Sequence, residues 1–96
     1  MGKMLYLNVD NVVVQNKEID VSDLNGEKVM MNIDKGEYFS LNSMGSRIWN
    51  LIEEPKRIGD IVNTLLEEYD VSEEECKDNV TKFLDVLTYV DLINIS

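Results

Sequence analysis

The hydrophobic period of this chain changes at Leu41, and that change decides which fold classes are open to it. Lys28 to Ile33 alternates, with Val29, Met31 and Ile33 on one face and Lys28, Met30 and Asn32 on the other. Asp34-Lys35-Gly36 is a short connection with glycine where a positive φ is needed. Glu37, Phe39 and Leu41 then alternate with Tyr38 and Ser40, so the two runs read as a hairpin. Beyond Leu41 the spacing becomes three and four. Met44, Ile48, Leu51 and Ile52 share a helical face, with Trp49 on its flank. Asn42 or Ser43 caps this helix, and Glu53-Glu54-Pro55 ends it.

The segments on either side extend the same order. Leu5 to Leu7 and Val9 to Gln15 are apolar and β-branched and read as N-terminal strand. Residues 16 to 24 are polar without a regular pattern, and Asn25-Gly26 is a strong turn signal. A second helix runs from about Arg57 to Tyr69, where Ile58, Ile61, Val62, Leu65, Leu66 and Tyr69 form an apolar stripe. A third begins at the capping box Ser72-x-x-Glu75, with Val71 and Cys76 placed for a hydrophobic staple. Cys76, Val80, Phe83, Leu87 and Val90 continue its stripe, and Leu84 and Val86 widen the edges. Leu92 to Ile95 either closes a sheet or packs down. Strands followed by helices predict an α+β domain. The expected arrangement is winged-helix-like: an N-terminal three-stranded antiparallel sheet, then a three-helix bundle, in one domain spanning residues 1–96.

Composition excludes several functions. A chain of 96 residues supports one core, burying somewhat over ~60% of its unfolded surface. The net charge is −10, from 19 acids against 9 bases. That sign opposes nucleic acid, whose binding is driven by neutralising phosphates, and opposes anionic membrane. It suits a partner with a basic face. No apolar run approaches the ~20 residues that span a bilayer, and the start has no small-residue cleavage site. A single cysteine forms no internal disulfide, which suits a reducing cytoplasm. With no histidine, the usual Cys/His zinc site has no ligands, so no metal and no cofactor are expected.

No catalytic constellation is visible. Glu53-Glu54 and Glu67-Glu68 are sequence neighbours and do not converge on one point of a helix. Glu73, Glu74 and Glu75 suit the first turn of a helix by charge alone. Cys76 lies in the apolar stripe with no histidine base, which reads as core packing. Met30 and Met31 point to opposite strand faces, one to the core and one outward. The outward one is either part of a binding surface or merely exposed.

The run Gly36, Tyr38, Leu41, Asn42, Gly45, Ile48 and Trp49 resembles the signature of the PqqD-like family, the RiPP recognition elements. Ile58, Ile61, Leu65, Tyr69 and Val71 are similar to that family's second helix and following turn. Glu75, Val80, Phe83, Leu84, Leu87, Leu92 and Ile93 resemble its third helix and tail, with Asp91 where the family usually has glycine. The resemblance implies a non-enzymatic, cytoplasmic protein that binds the leader segment of a ribosomally made precursor peptide. The peptide adds as a strand beside residues 34–40, in the groove between that strand and the third helix. The peptide-binding residues expected on this basis are Asp34, Lys35, Gly36, Glu37, Tyr38, Phe39, Lys77, Val80, Phe83, Leu84 and Leu87. Val80, Leu84 and Leu87 are expected to wall the groove with Phe83 behind them, and Lys77 and Asp85 to read charge at its rim. Tyr38 is expected in the groove or on the surface. The implied partner is a modifying enzyme or leader peptidase, with lasso peptide maturation favoured. A pyrroloquinoline quinone-type peptide chaperone for a radical-SAM enzyme is the alternative, and a winged-helix nucleic-acid regulator a more distant one. Pairing of two copies through the N-terminal strand is left open.

Overall fold

The computed structural model describes residues 7–25, 27–32 and 36–95. Four strands come first: β1 (Val12–Gln15), β2 (Asp20–Leu24), β3 (Glu27–Asn32) and β4 (Glu37–Leu41). Helix α1 (Ser43–Leu51), the short strand β5 (Lys56–Arg57), helices α2 (Ile58–Glu68) and α3 (Glu73–Tyr89) and strand β6 (Ile93–Ile95) follow. The architecture is α+β, with antiparallel sheets and three helices.

One sheet has the order β2-β3-β4. Its register pairs Met30 with Phe39, Lys28 with Leu41 and Met31 with Tyr38. Met30, Phe39 and Leu41 therefore share the face turned to the helices, and Met30 and Leu41 are buried there. Met31 and Tyr38 share the opposite face, exposed at 43% and 72%. The adjacent methionines are thus divided between core and surface, as strand alternation requires.

Strand β2 corrects the sequence reading. Every one of its residues is exposed, so it carries no alternation to betray it. The signal that does mark it is the turn: Asn25 adopts φ 54, the left-handed conformation of a tight hairpin, and such a turn needs a strand on each side. Gly26, Ile33, Asp34 and Lys35 lie outside the described residues, as do Leu5 and Tyr6 of the expected first strand.

The N-terminal strand does not join this sheet. β1 lies between β5 and β6 in a second sheet, with Val13 opposite both Lys56 and Ile95. The end of α1 ties it there: the Gln15 backbone N–H donates to Ile52 O, and its side chain donates to Trp49 O at 2.7 Å. Leu92 to Ile95 therefore closes a sheet, through β6.

The helices are set by their caps. Asn42 accepts from Gly45 N and starts α1 one residue after β4 ends. Ser72 accepts from Glu75 N at 3.1 Å and starts α3. Asp91 has φ 65 beyond the end of α3, and Leu92 N donates back to Leu87 O in the Schellman pattern. A single buried cluster joins Val13, Met30, Leu41, Ile48, Trp49, Ile61, Leu65, Val80, Leu84 and Leu92 across both sheets and all three helices. No helix among the described residues is long and apolar enough to cross a membrane.

Candidate peptide-binding site

Strand β4 is an edge: β3 occupies one side and no strand of the described residues occupies the other. An edge strand leaves alternate N–H and C=O groups without partners in the sheet. β2 is the opposite edge, and the two differ in chemistry. β2 carries Asp20 and Asp23, charges that discourage a further strand. β4 has a single charge, Glu37 at its start, and then reads Tyr38-Phe39-Ser40-Leu41. Gly36 enters it at φ 65, the left-handed value expected of that glycine.

Where β4 runs into α1, a cavity of about 270 Å³ opens between α1 and α3. Met44, Gly45 and Ile48 line it from α1, Asn79 and Phe83 from α3, and Asn42 from the junction. No charged side chain is among these. The size lies at the low end of ligand pockets, which start at roughly 300 Å³, and leaves room for a side chain. Asn42 Oδ1 accepts from Gly45 N at 2.8 Å, so the residue that caps α1 also borders the cavity.

The expected site residues separate into distinct groups. Gly36, Glu37, Tyr38 and Phe39 all belong to the β4 edge or its approach, and Phe39 is half-buried on the inner face. Tyr38 lies on the outer face, across from Met31, and not over the helices. Phe83 borders the cavity. Val80, Leu84 and Leu87 do not wall a groove: they are buried in the core, Leu84 at 0% exposure. The assignment on α3 is therefore reversed, with Phe83 outermost and its neighbours behind it. The reason is angular. Each residue advances about 100° around a helix, so Phe83 sits about 100° from Leu84 and only about 40° from Asn79. Lys77 and Asp85 stand about 160° and 120° from Asn79, and neither lines the cavity. Asp34 and Lys35 lie outside the described residues.

Four lining residues (Asn42, Gly45, Ile48 and Met44) are legible in the sequence only as cap and core of α1, and Asn79 carries no pattern of its own. A polar residue one turn before a stripe phenylalanine was the available signal. Val86 and Tyr89 continue the outward face of α3, exposed at 57% and 77%, where an apolar stripe alone would have placed Val86 at the core margin.

Electrostatic features lie outside the cavity. Arg47 on α1 grips Glu68 on α2 through both carboxylate oxygens. The hydrogen bond from Arg47 holds the Glu68 carboxyl below its ordinary range and in return raises the guanidinium. Burial pushes the Cys76 thiol up, and its Sγ lies 3.9 Å from Val62 O. A thiol so placed is packing, as its position in the stripe implies.

Comparison with known proteins identifies the family and the fold. The family model described as coenzyme PQQ synthesis protein D (PqqD) matches residues 27–93, and the chain belongs to that family. The solved structure of TbiB1 in complex with the TbiA(beta) leader peptide is 31% identical. It matches 84% of this chain and 94% of that one, with a TM-score of 0.77. Lasso peptide synthetase B1 complexed with the leader peptide is 20% identical over 85% of this chain and 96% of that one, also with a TM-score of 0.77. At that identity the second likeness speaks to the fold. No curated protein matches the sequence.

Proposed function

We propose that this protein binds the leader segment of a ribosomally synthesised precursor peptide and presents it to a modifying enzyme or leader peptidase. The observation that carries the reading is the junction of a free, nearly uncharged strand edge at β4 with the cavity between α1 and α3. The peptide adds as a strand to β4 and places a side chain in that cavity. Lasso peptide maturation is the favoured setting: the 31% identical relative is a leader-peptide complex, and the lasso peptide synthetase B1 complex shares its fold with this chain. The protein acts without catalysis of its own.

Magnitudes show why edge and cavity are both needed. Backbone hydrogen bonds contribute about 1 kcal/mol each, net. About five of them reach roughly 5 kcal/mol, near millimolar affinity before the costs of ordering. An apolar side chain buried in the cavity adds about 1.5–3 kcal/mol, one to two powers of ten in affinity.

The test is titration with the leader segment of the precursor encoded beside this gene, followed by amide shifts. Large shifts in residues 36–41, Gly45, Asn79 and Phe83 are expected. Shifts confined to β1, β5 and β6 would remove the reading, as would the absence of binding.

A further inference from the structure

Asn79 stands where a helix disfavours it. Asparagine is a weak helix former whose side chain suits caps and turns, yet this one lies inside α3. The threonines of the same helix turn their hydroxyls back on it: Thr81 donates to Lys77 O and Thr88 to Leu84 O. The Asn79 side chain makes no hydrogen bond among the described residues. Its charged neighbours are engaged with each other, Lys82 with Asp78 at 3.0 Å.

The place of this amide gives it a use. Asn79 and Phe83 form the α3 side of the cavity, one turn apart on the same ridge. Met44, Gly45 and Ile48 offer no polar side-chain N–H or oxygen from α1, and the oxygen of Asn42 is taken by Gly45 N. Asn79 is therefore the lining residue whose acceptor and donors are both uncommitted. A peptide strand added to β4 turns the N–H and C=O of alternate residues toward that strand. The residues between direct the same two groups away from it. At the cavity, the wall across from the junction of β4 and α1 is α3. A side-chain amide matches such a pair of groups, because it sets an acceptor beside a donor as a peptide group does.

Resting on the peptide-binding reading above, we infer that Asn79 is a main-chain clamp. Its Oδ1 accepts the backbone N–H, and its Nδ2 donates to the C=O, of one peptide residue at the mouth of the cavity. The clamp fixes the register in which a peptide side chain enters the cavity. A slip of one residue would present the opposite face of the peptide and turn the wrong backbone groups to Asn79. The clamp reads no side chain, so it is indifferent to peptide sequence. Outward groups further along the peptide stay open.

The experiment uses the full chain, its Asn79→Ala variant and the leader segment of the precursor encoded beside this gene. A series of leaders carries one backbone ester each, which removes a single N–H and changes no side chain. Alanine is the better helix former, so the variant should melt no lower than the native protein. Its affinity for the all-amide leader should nevertheless fall about tenfold. At one ester position the native protein should lose about fivefold, while Asn79→Ala loses nothing further. Esters that face β4 should weaken both proteins alike. Esters are compared within each protein, so the result does not depend on how stable the variant is. Equal affinity of variant and native protein for the all-amide leader overturns the inference while peptide binding stands. A loss in the variant that no ester position shares overturns it too, since Asn79 would then act on a side chain or on the fold. If the native protein binds no leader at all, both readings fall.

Discussion

A Cβ placed on Gly45 of α1 would stand 3.2 Å from Cζ of Phe83 on α3 and 3.3 Å from Oδ1 of Asn42. The glycine is therefore what lets the Phe83 ring lie against α1 and keeps the cavity open behind it. Gly45→Ala gains up to about 1 kcal/mol of helix propensity but pushes a methyl into the ring, costing about 1–3 kcal/mol. The net loss of about 0–2 kcal/mol should lower the melting temperature by no more than roughly 15 °C, leaving the protein folded. Leader affinity, measured by titration calorimetry, should fall by roughly fivefold or more, the equivalent of about 1 kcal/mol. Unchanged affinity would mean the cavity is not used.

Leu84 is fully buried, so its substitution should be read in stability and not in binding. Leu84→Ala should cost about 2–5 kcal/mol in urea unfolding. Leu84→Asp places a carboxylate in the core and should leave the chain unfolded by circular dichroism. A folded Leu84→Asp protein with impaired binding would restore Leu84 to the groove wall.

The left-handed conformation at Asp91 makes a further test. Glycine adopts φ 65 without the Cβ clash that an L residue meets there. Asp91→Gly should raise stability by up to about 1 kcal/mol, read as a higher urea midpoint at the same slope. A lower midpoint would show that the contacts of the Asp91 side chain outweigh its backbone strain.

The Arg47–Glu68 clamp gives a pH signature of known sign. The Glu68 carboxyl is held below its ordinary range in the folded state. Between the folded and unfolded values the unfolded chain binds the extra proton, so stability rises with pH there. The contribution is complete above the unfolded value and disappears as pH falls through the folded one. Melts of native protein and Glu68→Gln should differ near neutral pH and converge in acid. A difference that grows on acidification would reverse the assignment.

Cys76 should be inert to thiol reagents at neutral pH while the protein is folded, because burial raises its thiol. Reaction with an aromatic disulfide should track unfolding across a denaturant series. Rapid labelling of the native state would place Cys76 at the surface.

The outcome on α3 shows where pattern reading succeeds and stops. Periodicity located the helix, its Ser72 cap and its buried stripe, because those depend on local spacing and burial. It could not rank Phe83 against Leu84, since both are apolar and neighbouring. Their difference arises from what faces them, and that depends on Gly45, distant in sequence. β2 was missed for the complementary reason: an edge strand exposed along its whole length has no apolar period to detect. β1 was visible as a strand, yet its partners Lys56 and Ile95 come from the far half of the chain, and no local rule reaches them.

The open side of β4 also governs what a third molecule would meet. A peptide lying along that strand becomes the outermost strand of the sheet, and its own far backbone groups form the new boundary. On the function proposed above, an enzyme arriving at the complex would find one backbone edge of the peptide still open to it. Recognition and display would occur in one step, and the carrier could stay small, since it need only hold one flank of its cargo.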